Sequence, residues 1–402
     1  ELCASLGLEA ELVRPPSSGA YLWSRGALHP LPAGLVLGFP SRARPLLACP
    51  ALSWPGRLRA ALEPALPGGR GFGPDPSVAE VARARFGQEA LDRLVDPVLA
   101  GIHAGDPERL SLAATAPEVA AAARAPGSLM ANLGRLSPSG RQPPRGAQVP
   151  FATLRGGLSR LVDALASELG RLGAQVRTGR PVGALRRRDE GGFLAGAPGE
   201  EDSFDAALVA TPAPEAALLL ADACPQASAA LGTLAHASVA LVTFSYPADA
   251  WPRPRPGTGF LVPRSEGRLL SACTWMSLKW PHSAEPGRLV LRASCGRLGD
   301  DRPAQLDDGE LAARLAAELG EAMGMRSGPE GFAVARWPSS LPQYEVGHAS
   351  RVEAVRSAVA STPGLELAGA YLSGVGIPAC IREAHAAADR LAGALAGTPA
   401  PA

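Results

Sequence analysis

The sequence predicts a mixed fold, α/β or α+β, on three observations. After residue 150, short apolar runs typical of strands alternate with helical stretches, as expected for sheets covered by helices. Residues 54–124 instead carry apolar side chains mostly at helical spacing. Between these regions, residues 137–150 are rich in Pro, Gly, Ser and Arg and predict a linker. A length of 402 residues leaves room for two or three domains.

The region before the linker is predicted to be mainly helical. Residues 21–28 are typical of a small hairpin with its turn at 24–26. Within the helical part, Asp106 followed by Pro107 has the pattern of an N-cap and a first helical position.

The region after the linker is predicted to alternate between strands and helices. Helices are expected at 158–172, 214–220, 308–323, after His348 and at 378–394. Strands are expected at 175–177, 181–182, 205–210, 238–246, 259–263, 268–275, 288–295, 331–337 and 365–369, with a charged hairpin around 189–202.

Composition excludes several classes of protein. A net charge of +1 argues against a nucleic-acid partner, because such binders need a cationic excess. No apolar run approaches the ~18 residues of a membrane span, and no signal peptide is visible. The six cysteines lack metal-site spacing, which favours reduced thiols in a cytoplasmic protein. Lys279 is the only lysine, which we attribute to GC-rich coding and not to chemistry.

Motifs for hydrolysis, phosphoryl transfer and metal catalysis are missing from the sequence. There is no GxSxG elbow, P-loop, HExxH or kinase signature, and the six histidines are isolated. We therefore assign no catalytic side chain and no metal ligand.

A glycine pattern near the C-terminus is more informative. Gly374, Gly376 and Ala379 follow a predicted strand and open a long helix, the form of a dinucleotide-binding turn. A plain glycine turn before a helix started by Pro378 explains the pattern equally well. Thr211 also follows a buried strand, where an ordinary strand-to-helix turn is the favoured interpretation.

Motifs spread along nearly the whole chain resemble the porphyrinogen oxidase family, within the larger monoamine-oxidase-like group of flavoproteins. They include GALHPLP at 26–32, AGD at 104–106, KWPH at 279–282, LPQY at 341–344 and GVGIP at 374–378. AGD and LPQY in this order are specific to the family, whereas the last motif is shared by the wider group.

The resemblance implies an FAD/NAD(P)-binding domain of the p-hydroxybenzoate-hydroxylase-like fold, a mixed-sheet substrate domain and a helical domain. The FAD-binding domain would comprise residues 1–19, 151–231 and 349–402. The helical domain and cavity wall would comprise 20–136, the linker 137–150 and the substrate domain 232–348.

The same resemblance assigns site residues by position. The cofactor FAD would contact Val182, Trp337, Val375, Gly376 and Ile377. Without a cofactor, Val182 would be an ordinary core residue and Trp337 a buried aromatic side chain.

The substrate cavity would be lined by Ala20, Gly101, Gly259 and Leu261. Relatives that oxidise protoporphyrinogen carry an arginine for a substrate propionate at the position of Ala20. The alanine therefore favours the branch that oxidises coproporphyrinogen III, whose propionates must meet other basic residues.

The glycine loop that holds the FAD pyrophosphate in the family has no counterpart after Glu1, and residue 1 is not Met. We expect the chain to begin inside a longer polypeptide, to lack the N-terminal βαβ start of the fold, and to bind FAD poorly by itself.

The implied activity is oxygen-dependent oxidation of coproporphyrinogen III to coproporphyrin III in haem biosynthesis. Protoporphyrinogen IX oxidation, an amine oxidase or carotenoid desaturase, and a flavin-free porphyrin-binding protein are the alternatives. Expected partners are the porphyrinogen and molecular oxygen. A ferrochelatase partner and peripheral membrane contact of a cytoplasmic protein stay open.

Overall fold

The computed structural model describes residues 1–17, 19–67, 71–136, 151–197 and 199–396. The predicted linker at 137–150 lies outside the described residues. The described residues form sixteen strands and seventeen α-helices, which are numbered in chain order.

The strands are β1 Leu12–Val13, β2 Tyr21–Ser24, β3 Ala27–Pro30, β4 Leu35–Val36, β5 Phe39–Pro40, β6 Thr153–Leu154, β7 Ala184–Arg187, β8 Phe193–Ala197, β9 Glu200–Phe204, β10 Ala207–Val209, β11 His236–Pro247, β12 Gly259–Leu261, β13 Leu270–Trp275, β14 Arg288–Cys295, β15 Gly331–Pro342 and β16 Leu365–Leu367. The helices are α1 Leu2–Ser5, α2 Ala43–Leu47, α3 Trp54–Ala61, α4 Val78–Phe86, α5 Gln88–Ala90, α6 Asp96–His103, α7 Leu112–Thr115, α8 Pro117–Arg124, α9 Leu129–Leu136, α10 Ser159–Arg171, α11 Ala213–Leu219, α12 Pro225–Leu231, α13 Met276–Lys279, α14 Asp308–Met323, α15 His348–Ala360, α16 Ala370–Ser373 and α17 Ile377–Ala396.

Helices α2 to α9 pack around a first apolar core, which includes the buried side chains of Phe39, Phe86, Leu94, Leu99 and Leu133. A π-helical turn, Leu91–Val95, joins α5 to α6.

A buried ion pair adds a polar anchor to this helical region. The carboxylate of Glu63 accepts hydrogen bonds from the backbone N–H groups of Leu129 and Met130, at 2.9 and 3.1 Å, and pairs with Arg85 on α4. The carboxylate therefore caps α9 and fixes it to α4.

A seven-stranded sheet of order β15-β11-β14-β13-β12-β2-β3 forms the second body. All its neighbours pair antiparallel except β12 and β2, which are parallel. Alternate residues of each strand point to α14, where Phe244, Phe260 and Leu291 meet Leu315 in a second core. The face opposite α14, here called the open face, carries the other half of the side chains.

A third core surrounds the parallel pair β10 and β16 and is covered by α11, α12 and α15. Parallel strands end at the same edge of a sheet, so the segments after Val209 and after Leu367 emerge side by side. Helix α17 follows the second of these segments and has only Glu383 and Ala387 buried.

The structure overturns some predictions of local structure. Residues 175–177 and 181–182 are not strands, because no neighbouring strand pairs with them in the described part of the chain. Asp106 does not cap a helix: its Oδ1 accepts a hydrogen bond from the N–H of Glu108, 3.0 Å away, in a turn, and α7 starts later with Ser111 as its N-cap. The division of the chain into domains stays a prediction.

Candidate flavin and substrate site

The open face of the sheet collects several residues expected to line the site. Gly259 pairs with Thr274 across β12 and β13, and Thr274 pairs with Arg292 on β14. Paired residues share a face, and Leu261 lies two residues further on the same side. Trp337 on β15 pairs with Val239 and also points away from α14.

The helical region forms the opposite wall of this cavity. A Cβ added to Gly101 on α6 would lie 3.2 Å from Cδ2 of Leu261, so the helix backbone lies directly against that side chain. Gly259 has no room for a side chain at all, because a Cβ would collide with the carbonyl of Cys273.

Ala20 lies at the same end of the sheet as Gly259. The carbonyl of Gly19 accepts hydrogen bonds from the N–H and hydroxyl of Thr258, at 2.7 and 3.1 Å, which brings Ala20 next to the start of β12. The structure therefore brings Ala20, Gly101, Gly259 and Leu261 together.

The loop before α17 has the features of a cofactor-binding turn. Gly374 has a φ of 152°, and a Cβ there would lie 2.6 Å from the Cβ of Ala379, so the turn needs glycine. A Cβ on Gly376 would meet only Pro378 Cδ at 3.8 Å. Since no described side chain requires glycine at 376, a ligand lying against the backbone gives the better reason for it.

Backbone donors are also free in this loop. The N–H groups of Val375, Gly376 and Ile377 donate to no described carbonyl, while the helix ladder begins with Ala379 and Cys380 bonding to Gly376. The start of a twenty-residue helix with free N–H groups favours an anionic or carbonyl-bearing ligand.

A buried polar atom without a partner lies at the neighbouring strand end. The hydroxyl of Thr211 is buried two residues after β10 and has no hydrogen-bond partner among the described residues. Ligands of open α/β sheets bind at such carboxyl ends, so this hydroxyl and the α17 loop fit one elongated cofactor.

Tyr344 links the sheet to the α17 loop. It follows β15, its hydroxyl donates to the carbonyl of Ala370, and its ring stacks on His348 with centroids 4.1 Å apart. Gln343 beside it donates to the carbonyl of His103 at 2.8 Å. The LPQY motif therefore joins the sheet, α6 and the cofactor loop.

Three predicted cofactor residues are more exposed than core residues would be. Val182 is 47% and Trp337 is 53% exposed, so neither is an ordinary buried side chain. Ile377, at 49%, is similarly uncovered. Val182 precedes β7, and no described contact joins it to Trp337 or to Ile377, so its role stays a prediction.

Burial keeps two histidines of this region neutral near pH 7. Burial lowers the pKa of His103 to about 4. Burial, together with the charge of Arg351, lowers the pKa of His348 to about 4. Neither imidazole is placed against Gly259 or Leu261. Among the described residues, no cluster of His, Cys, Asp or Glu could hold a metal ion.

The exposed apolar side chains, the glycine turn and the unpaired Thr211 hydroxyl fit a flavin nucleotide. Val375, Gly376 and Ile377 would hold it at the start of α17, and Trp337 would face it from the sheet. The fold and this site define a flavin-dependent oxidoreductase.

Comparison with known proteins gives the family. The model for flavin containing amine oxidoreductases matches residues 1–392, and the chain belongs to that family. This match confirms a flavin cofactor, which the resemblance predicted to be FAD.

Similar proteins cover almost the whole chain. It is 34% identical to the coproporphyrinogen III oxidase of Bacillus subtilis, over 96% of this chain and 82% of the relative. It is 28% identical to the chloroplastic protoporphyrinogen oxidase of rice, over 96% and 74%. The crystal structure of a proposed protoporphyrinogen oxidase from Exiguobacterium matches with a TM-score of 0.84 and 32% identity, over 97% and 83%. These matches confirm the predicted resemblance and fold class.

Sequence reasoning missed two features of the site. Tyr344 was considered only as part of the LPQY family motif, although this tyrosine connects the sheet to the cofactor loop. The single lysine, Lys279, was attributed to coding bias, although its side chain is half-buried and the charge of Arg292 acts on it. No helix in the described part of the chain is long and apolar enough to cross a bilayer.

Proposed function

We propose that the chain catalyses oxygen-dependent oxidation of coproporphyrinogen III to coproporphyrin III. The observation that carries this proposal is the near full-length similarity to a relative of that name, in a chain whose cavity residues lie together. Six electrons and six protons leave the macrocycle in three two-electron steps, while three molecules of oxygen become three of hydrogen peroxide.

FAD, when bound, supplies the hydride acceptor. The chain's own residues orient the substrate and exclude water. Gly101, Gly259 and Leu261 would line the site of the flat macrocycle, where the backbone of α6 lies against Leu261. His103 and His348 are not placed against Gly259 or Leu261, so we assign neither of them as a base; pyrrole protons would leave to solvent.

Protoporphyrinogen IX is the second candidate substrate, favoured by the similarity to the rice enzyme. Ala20 supports coproporphyrinogen through the resemblance alone, because relatives that oxidise protoporphyrinogen carry an arginine at this position. A ferrochelatase as the recipient of the product, a cytoplasmic location and peripheral membrane contact stay predictions.

The test supplies each porphyrinogen in air to the protein loaded with FAD, with porphyrin fluorescence and hydrogen peroxide recorded together. We expect faster formation of coproporphyrin, with three peroxides for each porphyrin. A protein that oxidises neither porphyrinogen would contradict the proposal, and a preference for protoporphyrinogen would establish the second candidate.

A further inference from the structure

Arg292 presents its charge at the open face of the sheet. Its neighbours along β14, Leu291 and Ala293, are buried against α14, so Arg292 points the other way. It stands two strands from Gly259 in one row of paired residues, about 10 Å away at the usual strand spacing. Its side chain is half-buried.

Lys279 is the last residue of α13, and it is near enough to Arg292 for the charge of that arginine to act on it. Helix α13 is fixed over β14 because the hydroxyl of Ser277 accepts a hydrogen bond from the N–H of Val290, 2.8 Å away. The ammonium group of Lys279 lies 5.3 Å from the ring of Phe151 and 5.6 Å from that of Trp280. Burial and the nearby charge of Arg292 lower the pKa of Lys279.

Neither cation has a counter-ion among the described residues. Within the described parts of the chain, no carboxylate pairs with Lys279 or Arg292 and neither donates a hydrogen bond, whereas Arg268, Arg302 and Arg390 each bind a carboxylate. Two half-buried like charges destabilise the ligand-free protein, and an anionic ligand would offset that cost.

We propose that Lys279 and Arg292 bind propionate carboxylates of the substrate and thereby select a porphyrinogen with a propionate on every pyrrole ring. This inference rests on the proposed function. The two residues would replace the arginine that the position of Ala20 lacks. The distance from Gly259 to Arg292 suits a macrocycle lying at the glycines with its carboxylates towards β14 and α13.

The first experiment measures binding of oxidised coproporphyrin III and of protoporphyrin IX by fluorescence titration. The proteins are the wild type, Arg292→Gln, Lys279→Gln, the double variant and Arg292→Lys. The control is Arg314→Gln, the same charge change at an exposed position of α14 on the other side of the sheet.

We expect each single variant to bind coproporphyrin about tenfold more weakly, as for one lost charge-assisted hydrogen bond. Protoporphyrin affinity should change less, Arg292→Lys should recover part of the loss, and Arg314→Gln should match the wild type. Without ligand, the double variant should melt at the same or a higher temperature, because a repulsion is removed; a merely structural role would lower the melting temperature.

Coproporphyrin affinities equal to that of Arg314→Gln, in variants that remain folded, would overturn this inference and leave the proposed function standing. A wild type that neither binds nor oxidises any porphyrin would overturn both. FAD titrations of the same variants test whether the two cations bind the cofactor instead of the substrate. Loss of FAD affinity with unchanged coproporphyrin affinity would show that the cations serve the cofactor and would also overturn the inference.

Discussion

The ring of Tyr344 stacks on the imidazole of His348 at 4.1 Å and an interplanar angle of 14°, and its hydroxyl donates to the carbonyl of Ala370. One side chain thus connects the end of β15 to the loop that opens α17. The geometry of the flavin loop therefore depends on a residue outside it.

Tyr344→Phe should loosen that loop. Loss of the hydroxyl leaves the carbonyl of Ala370 without this donor and should cost about 1–2 kcal/mol of unfolding free energy. FAD affinity should fall as well, because Val375, Gly376 and Ile377 follow directly. Urea unfolding and a flavin titration measure the two effects. Tyr21→Phe is the control, since its hydroxyl bonds to Pro256 at an exposed site; an equal loss of FAD affinity in both variants would contradict the role of Tyr344.

Stability should fall as the solution is acidified through the range of the buried histidines. His103 and His348 have folded pKa values of about 4, below the ordinary 6.5, so the unfolded chain binds more protons between these values. Stability is complete above pH 6.5 and decreases towards pH 4, by on the order of 3 kcal/mol for each histidine.

Urea unfolding between pH 4 and 8 measures this dependence. His348→Phe should flatten part of the slope, whereas His385→Gln, at an exposed position of α17, should leave the slope unchanged. Identical slopes in all three proteins would refute the contribution of His348.

Glu63→Gln should be among the more destabilising single changes in the helical region. It leaves the Arg85 charge buried and weakens the cap on Leu129 and Met130, at a cost of about 3–5 kcal/mol. Glu168→Gln breaks an exposed pair with Arg171 and should change stability far less, because solvent screens that pair. Similar unfolding midpoints in urea for the two variants would show that the buried pair is not an anchor.

Gly101→Ala should weaken substrate binding without lowering the stability of the fold. Alanine favours the α6 helix by up to about 1 kcal/mol, but its methyl group presses on Leu261 at 3.2 Å and narrows the cavity. We expect unchanged or higher thermal stability together with weaker coproporphyrin binding. Gly320→Ala on α14, where nothing lies within 4 Å, should leave binding unchanged. Undiminished coproporphyrin binding by the Gly101→Ala variant would show that Gly101 does not line the substrate cavity.

Secondary structure was predictable from the sequence in segments where one pattern, such as strand alternation or helix capping, dominates. Strand β14 alternates buried Leu289, Leu291 and Ala293 with polar or exposed neighbours, and helix α14 has Asp307 as N-cap and Gly324 after its last turn. The segment at 175–177 has strand-like composition but no pairing partner in the described residues, and composition cannot show pairing.

The site was predictable only in part. Gly374 and Gly376 predicted a turn whose backbone a ligand could approach, because the positions of glycines can be read directly from the sequence. The importance of Lys279 depends on a counter-ion that is missing among the described residues and on the charge of Arg292, which strand register places at the open face. Register and the absence of a partner appear only when the chain is folded.

The most direct test of the proposed function offers equal amounts of coproporphyrinogen III and protoporphyrinogen IX to the FAD-loaded protein in one vessel under air, and separates the products by chromatography. We expect an excess of coproporphyrin over protoporphyrin from the first minutes. Protoporphyrin in excess, or a flavin-bound protein that forms neither porphyrin faster than buffer does, would contradict it.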